Sequence, residues 1–274
     1  MPSELIEKYF RADHLPQIWC PGCGHGIITR SIAVAIDQLG LDPNKVCVIS
    51  GIGCSSRAPG YLDFNTLHTT HGRALAFATG IKLANPDMKV IVIMGDGDAT
   101  AIGGNHLIHA CRRNIGITTI VYNNNIYGMT GGQYSPTTPK FDKGTTAPYG
   151  NIDKAFDICD LAAAAGATYV GRATSYHANL VTQLVKNGLN NEGFSLIEAI
   201  SGCPTYYGRK NKKGGPVDMM QWQKEHAVMA TAAAKMTPEQ LEGKFLIGEF
   251  KNKPEPEYTQ EYQKIIDTLK GSDV

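Results

Sequence analysis

Short runs that are apolar almost without interruption, KVCVIS, MKVIVIM and ITTIVY, constrain this chain most. Six or seven such residues in a row suit a strand buried on both faces, and ATYVGRA and FSLIEAIS read as two more strands. Between these runs the apolar residues recur at helical spacing. The first helix carries Ile27, Ile28, Ile32, Val34, Ala35, Ile36 and Leu39 and is closed by Gly40. RALAFATGIKLANP is closed by Asn85-Pro86, and NHLIHACRRN, FDICDLAAAAG and HANLVTQLVKNGLN complete the set. Strands that alternate with helices predict an α/β fold, a mainly parallel sheet with helices on both faces. A chain of 274 residues with 42% hydrophobic content can bury one large core, expected over residues 1–237. From Pro238 the chain turns polar, and residues 238–274 are expected as a polar C-terminal arm.

Direction matters more than count. GIGC, GDGD, NNN and GCP each follow a predicted strand. In a parallel sheet such ends share one rim, and ligands of open α/β sheets bind there. Cys54 and Cys203 therefore belong to one neighbourhood. The pair Cys20 and Cys23, in WCPGCGHG, precedes a helix instead, and a connection into a helix that covers the sheet reaches the same rim. By itself a C-x-x-C can be a reversible disulfide, half a zinc site or half an iron-sulfur site. Four convergent thiolates suit a tetrahedral zinc or a 4Fe-4S cluster, which a redox dithiol does not need. Seven cysteines, an odd number, argue against a disulfide framework, and Cys47, Cys111 and Cys159 read as ordinary thiols.

The carboxylate of Asp96 sits between glycines at a strand end, a setting for phosphate and a divalent metal. Asn124 follows 28 residues later, with a helix and a strand between them. Two long loops break the rhythm. GMTGGQYSPTTPKFDKGTTAPYG follows NNN directly, which favours a function for it. RKNKKGGP carries Arg209, Lys210, Lys212 and Lys213, either as a solvated basic loop or as a contact for an acidic partner. A net charge of +1 shows no basic field for a nucleic-acid partner. The charged opening MPSELIEKYFRADHLPQ is no signal peptide and no segment suits a membrane span, so a cytoplasmic protein is expected.

GDG followed by a helix, a strand and NN resembles the thiamine-diphosphate signature, which implies Asp96, Asn124 and the carbonyl of Ile126 as Mg2+ ligands. The series WCPGCG, GIGCSS, HTTHGRALAFATGIK, GDGD, YNNNIYGMTGGQYSPTTP and GCP, over roughly residues 15–210, closely resembles the beta subunit of 2-oxoacid:ferredoxin oxidoreductases. The resemblance implies the thiamine-diphosphate-binding fold (its pyrophosphate-binding domain) and one 4Fe-4S cluster on Cys20, Cys23, Cys54 and Cys203. It implies cofactor contacts at Ile52, Gly53, Cys54, Ser55, His71, Asp96, Gly97, Asp98, Asn124, Ile126, Gly128, Met129 and Thr130. The implied reaction is oxidative decarboxylation of a 2-oxoacid, with coenzyme A accepting the acyl group and ferredoxin the electrons. In this family a glutamate from a pyrimidine-binding domain completes the site, so an alpha subunit is expected as partner. Further clusters would belong to soluble ferredoxin or to small ferredoxin-like subunits. Arg57 in GCSSR looks most like the 2-oxoglutarate branch and joins His71 as a candidate catalytic residue; pyruvate and branched-chain 2-oxoacids are the alternative substrates. A non-catalytic interaction subunit holding zinc or an iron-sulfur group is the reading from another class, and GDG paired with NN opposes it.

Overall fold

The computed structural model describes residues 2–271; residue 1 and residues 272–274, the outer ends of the two expected divisions, lie outside the described residues. The strands are β1 (Val46–Ser50), β2 (Asn65–His68), β3 (Lys89–Gly95), β4 (Ile117–Asn123), β5 (Ile126–Tyr127), β6 (Gln133–Tyr134), β7 (Tyr169–Thr174), β8 (Ser195–Ile200), β9 (Ala227–Met229) and β10 (Phe245–Asn252). Eight form one sheet in the order β2-β1-β3-β4-β8-β7-β10-β9, and β5 and β6 pair as a separate two-stranded ribbon. From β2 through β7 every neighbouring pair is parallel. β10 runs antiparallel to β7 and parallel to β9.

Alternation along the strands splits the core into two layers, as a sheet covered on both faces requires. Val46, Val48, Ile91, Ile93 and Ile120 pack with Ile28, Ile32 and Ile36 of the helix His25–Gln38 and with Val181 and Val185 of the helix Ala178–Asn190. Cys47, Ile49, Val90, Val92 and Val121 point the other way, against Leu75 and Ala78 of Ala74–Ala84, Leu107 of Gly104–Arg113 and Ile158 of Ile158–Ala164. The expected α/β architecture is present.

Three strands of the sheet, β2, β9 and β10, were not expected. β2, with the sequence NTLH, is a half-exposed edge strand without an apolar run. β10 lies in the polar stretch after Pro238, yet it hydrogen-bonds to β7, so that part of the expected arm belongs to the main sheet. Its alternation is broken by a register shift between Glu249 and Lys251, which hides the period of two from a sequence reading. The helix Tyr258–Gly271 follows it. Among the described residues no helix is long and apolar enough to cross a membrane.

Candidate functional site

The parallel order carries the strand-end motifs to one rim. There a cavity of about 260 Å³ is lined by every residue expected to touch thiamine diphosphate: Ile52, Gly53, Cys54 and Ser55 after β1, His71 after β2, Asp96, Gly97 and Asp98 after β3, Asn124 after β4, and Ile126, Gly128, Met129 and Thr130 along the ribbon; Cys20, Cys23 and Cys203 are not part of its wall. His25, Gly95, Tyr122 and Tyr127 complete the wall and were not expected. The signal for His25 was its place in GCGHG, directly after the cysteine pair.

Asp96 is buried, and burial pushes its carboxyl up to about 6, against the opposing hydrogen bonds of Ser135 and Thr137. Both hydroxyls donate to Asp96 Oδ2, Ser135 Oγ at 2.5 Å and Thr137 Oγ1 at 2.6 Å. These donors come from the YSPTT segment, whose hydroxyls meet the carboxylate because the ribbon folds back over the rim. The Thr137 hydroxyl also lies 3.1 Å from Asn123 Oδ1, and Asn123 Nδ2 donates to Glu198 Oε1 at 2.7 Å. Glu198 is held in turn by Arg172 Nε at 2.5 Å and by the thiol of Cys159 at 3.4 Å. Thus the first asparagine of NNN serves the scaffold, whereas Asn124 faces the cavity. Cys159 is buried within the apolar core, and its thiol also ends this polar chain.

Asp98 draws the loop after β2 onto the site. Its Oδ1 accepts from Gly72 N at 2.6 Å and from Ile52 N at 3.4 Å, and lies 2.7 Å from His71 Nδ1. Burial raises its pKa above the ordinary carboxylate value. Close approach explains the glycines. A side chain on Gly51 would begin 2.0 Å from Asp98 Oδ2, and one on Gly97 would begin 2.3 Å from the Tyr127 ring. Ser55 Oγ, Asp98 Oδ2 and His25 Nδ1 are buried without a hydrogen-bond partner. Buried polar atoms are normally satisfied, so three orphans around one cavity suit a polar ligand.

The other thiols gather around Cys54. The point from which a Gly128 side chain would start lies 3.4 Å from Cys54 Sγ and 3.6 Å from Cys203 Sγ. Gly202 N donates to the Cys23 carbonyl at 2.9 Å, and Trp19 Nε1 to the Cys54 carbonyl at 2.7 Å, which ties the cysteine pair to both strand ends. Gly22 and Gly24 have φ of 78° and 87°, and side chains on them would strike Pro216 and Ser175. Burial above all, then the charge of the neighbouring cysteines, pushes Cys23 and Cys54 up to about 11; only for Cys23 does an amide hydrogen bond at His25 oppose it. Burial also lowers His25 to about 4, so its ring is neutral. No three of the four sulfurs lie within 4.8 Å of one another. A tetrahedral zinc with bonds of about 2.3 Å would hold them about 3.8 Å apart. Arg57 stands outside the cavity, exposed, in the turn Ser55–Arg57 next to Cys54.

Residues 51–199 match the family model described as thiamine pyrophosphate enzyme, C-terminal TPP binding domain. The chain is 53% identical over 264 residues to the 2-oxoglutarate synthase subunit KorB of Methanothermobacter marburgensis, covering 96% of this chain and 93% of that protein. It is 47% identical over 188 residues to the 2-oxoglutarate oxidoreductase subunit KorB of Mycobacterium tuberculosis, covering 69% and 50%. Among solved structures it is similar to the 2-oxoglutarate:ferredoxin oxidoreductase from Magnetococcus marinus with 2-oxoglutarate, coenzyme A and succinyl-CoA bound. The TM-score is 0.85 at 35% identity, over 96% of this chain and 90% of that one.

Proposed function

Because the chain belongs to the thiamine pyrophosphate enzymes, as a beta subunit of the 2-oxoglutarate:ferredoxin oxidoreductases, we propose that its rim divides into two halves. One half holds thiamine diphosphate with Mg2+, the other a 4Fe-4S cluster, and Gly128 lies between them. The enzyme converts 2-oxoglutarate and coenzyme A to succinyl-CoA and CO2, and ferredoxin takes the electrons. Thiamine diphosphate, when bound, supplies the electron sink for decarboxylation.

The rest is the work of the chain. Asp96, Asn124 and the carbonyl of Ile126 hold Mg2+ against the diphosphate, as a hard cation with few protein oxygens requires. Ser135 and Thr137 aim the Asp96 carboxylate from behind, leaving its other oxygen to the metal. The backbone of Ile52 and Gly53, the Ser55 hydroxyl, Gly97, Met129 and Thr130 line the path of the cofactor. Asp98 Oδ1 lies beside His71 Nδ1, which leaves Nε2 to meet cofactor or substrate. Tyr122 and Tyr127 wall the cavity against water. Cys20, Cys23, Cys54 and Cys203 hold the cluster, and Cys54 lies close enough to the other three to feel their charge. The alpha subunit brings the glutamate of the pyrimidine-binding domain.

The observation that carries this reading is one cavity whose wall holds both the buried carboxylate of Asp96 and the Cys54 thiol. The test is a double dissociation on the complex purified anaerobically. Asp96→Ala should lose bound thiamine diphosphate and keep its iron, and Cys54→Ala should lose or alter the cluster signal in electron paramagnetic resonance while thiamine remains. Equal loss of iron and thiamine in both variants would refute the division.

A further inference from the structure

One of the four thiols faces solvent, and the surface around it is basic. Cys20 is exposed, whereas Cys23 and Cys203 are buried and Cys54 is partly covered. Its sulfur accepts a hydrogen bond from Thr205 Oγ1 at 3.3 Å. Thr205 belongs to the helical turn Pro204–Gly208, and the next five residues are Arg209, Lys210, Asn211, Lys212 and Lys213. Lys213 pairs with Asp142 at 3.7 Å. Arg209, Lys210 and Lys212 are exposed and make no ion pair among the described residues.

This loop is held in place. Asn211 Nδ2 donates to the carbonyls of Tyr207 and Lys143, both at 3.0 Å, and its Oδ1 accepts from Lys143 N at 2.7 Å. Lys213 N donates to Gly208 O at 2.9 Å, and the chain turns through a left-handed Lys212, φ 52°. A lysine in that conformation is strained, so the surrounding bonds fix the shape of the loop. Apolar side chains flank the thiol. Ile18, two residues before Cys20, is 74% exposed, and Val217, next to the proline that packs on Gly22, is 80% exposed. Exposed apolar residues beside fixed, unpaired cations fit a protein partner of negative charge.

We propose that the loop Arg209–Lys213, with Ile18, Cys20 and Val217, is the docking surface for an acidic ferredoxin. The proposal rests on the assignment of the four cysteines to an iron-sulfur cluster. Each 2-oxoglutarate oxidised releases two electrons, and a one-electron ferredoxin must dock and leave twice per turnover. Exposed cations serve this, because they speed encounter without adding a large buried area that would slow release.

The test uses the whole enzyme, alpha subunit included, carrying Lys210→Glu and Lys212→Glu together. Binding of a purified acidic 4Fe-4S ferredoxin is measured by calorimetry at low and high salt, beside 2-oxoglutarate-dependent reduction of methyl viologen and the KM for coenzyme A. Ferredoxin affinity should fall roughly 10- to 100-fold at low salt, and the difference should shrink at high salt. Viologen reduction, the KM for coenzyme A and iron content should not move. Unchanged ferredoxin affinity would overturn the proposal. So would a raised KM for coenzyme A with ferredoxin binding intact, which gives the loop to coenzyme A phosphates, or release of the alpha subunit on gel filtration, which makes this face a subunit contact. Absence of iron and of viologen reduction in the unmutated complex would instead sink the functional reading beneath it.

Discussion

Asp96 is a carboxylate that the fold leaves poised near neutrality, and this gives it a measurable signature before any metal binds. Its folded pKa of about 6 stands above the ordinary 3.8. Between those values the folded chain keeps a proton that the unfolded chain has lost. The contribution of this group is therefore full below about pH 4 and fades as the pH rises through 6, by about 3 kcal/mol in all. Asp96→Asn should remove that slope in the cofactor-free chain. Urea titrations at pH 4.5 and pH 7 should show the variant gaining on the unmutated chain at the higher pH, and an equal offset at both would assign the slope elsewhere. Arg57 is the other residue with a distinct expectation, since it is exposed beside Cys54 and outside the cavity. If it meets the distal carboxylate of 2-oxoglutarate, Arg57→Ala removes a charge-assisted contact of about 1.5–3 kcal/mol, roughly 10- to 150-fold in kcat/KM. Pyruvate lacks that carboxylate, so its residual turnover should change far less. Parallel losses for both substrates would return Arg57 to the shared carboxylate or to folding.

The loops at the strand ends show what the sequence made legible and what it hid. The runs KVCVIS, MKVIVIM and ITTIVY announce β1, β3 and β4, because burial on both faces leaves hardly any charged position. Their shared direction then placed Cys54, Asp96 and Asn124 on one rim. The supports of those residues were not legible. Nothing in YSPTT says that Ser135 and Thr137 return to Asp96, and nothing in NNN says that Asn123 turns inward to Glu198. Such bonds are made by tertiary folding and leave no period in the chain. They carry an expectation of their own. Thr137→Val cuts the link between Asp96 and Asn123 while keeping the volume, and a hydrogen bond to a charged group contributes about 1.5–3 kcal/mol. Affinity for Mg2+ and thiamine diphosphate should weaken by roughly 10- to 150-fold, and Thr137→Ser should restore most of it. A melting temperature that falls with no change in cofactor affinity would make the threonine structural only.

On the scale of the whole molecule, the rim is not closed by this chain. Past the ribbon, Phe141 and Tyr149 are 72% and 98% exposed, two aromatic side chains that a partner subunit would cover. At this scale the sequence concealed β10, whose edge is irregular. With its rim open, the isolated chain should bind cofactor weakly and fail to oxidise 2-oxoglutarate, and adding the alpha subunit should restore turnover. Turnover by the pure chain would contradict a shared site. The gathering of thiols from distant parts of the sequence also sets a timetable. Cys203 follows Cys20 by 183 residues. At a ribosomal pace of roughly 5–20 residues per second, the early pair waits on the order of 10–40 s for its last partner to be made. During that interval two thiols stand near the ribosome with nothing to share. Oxygen that reaches the nascent chain can join them before the sheet exists, so aeration during synthesis should harm this protein more than the same exposure after folding.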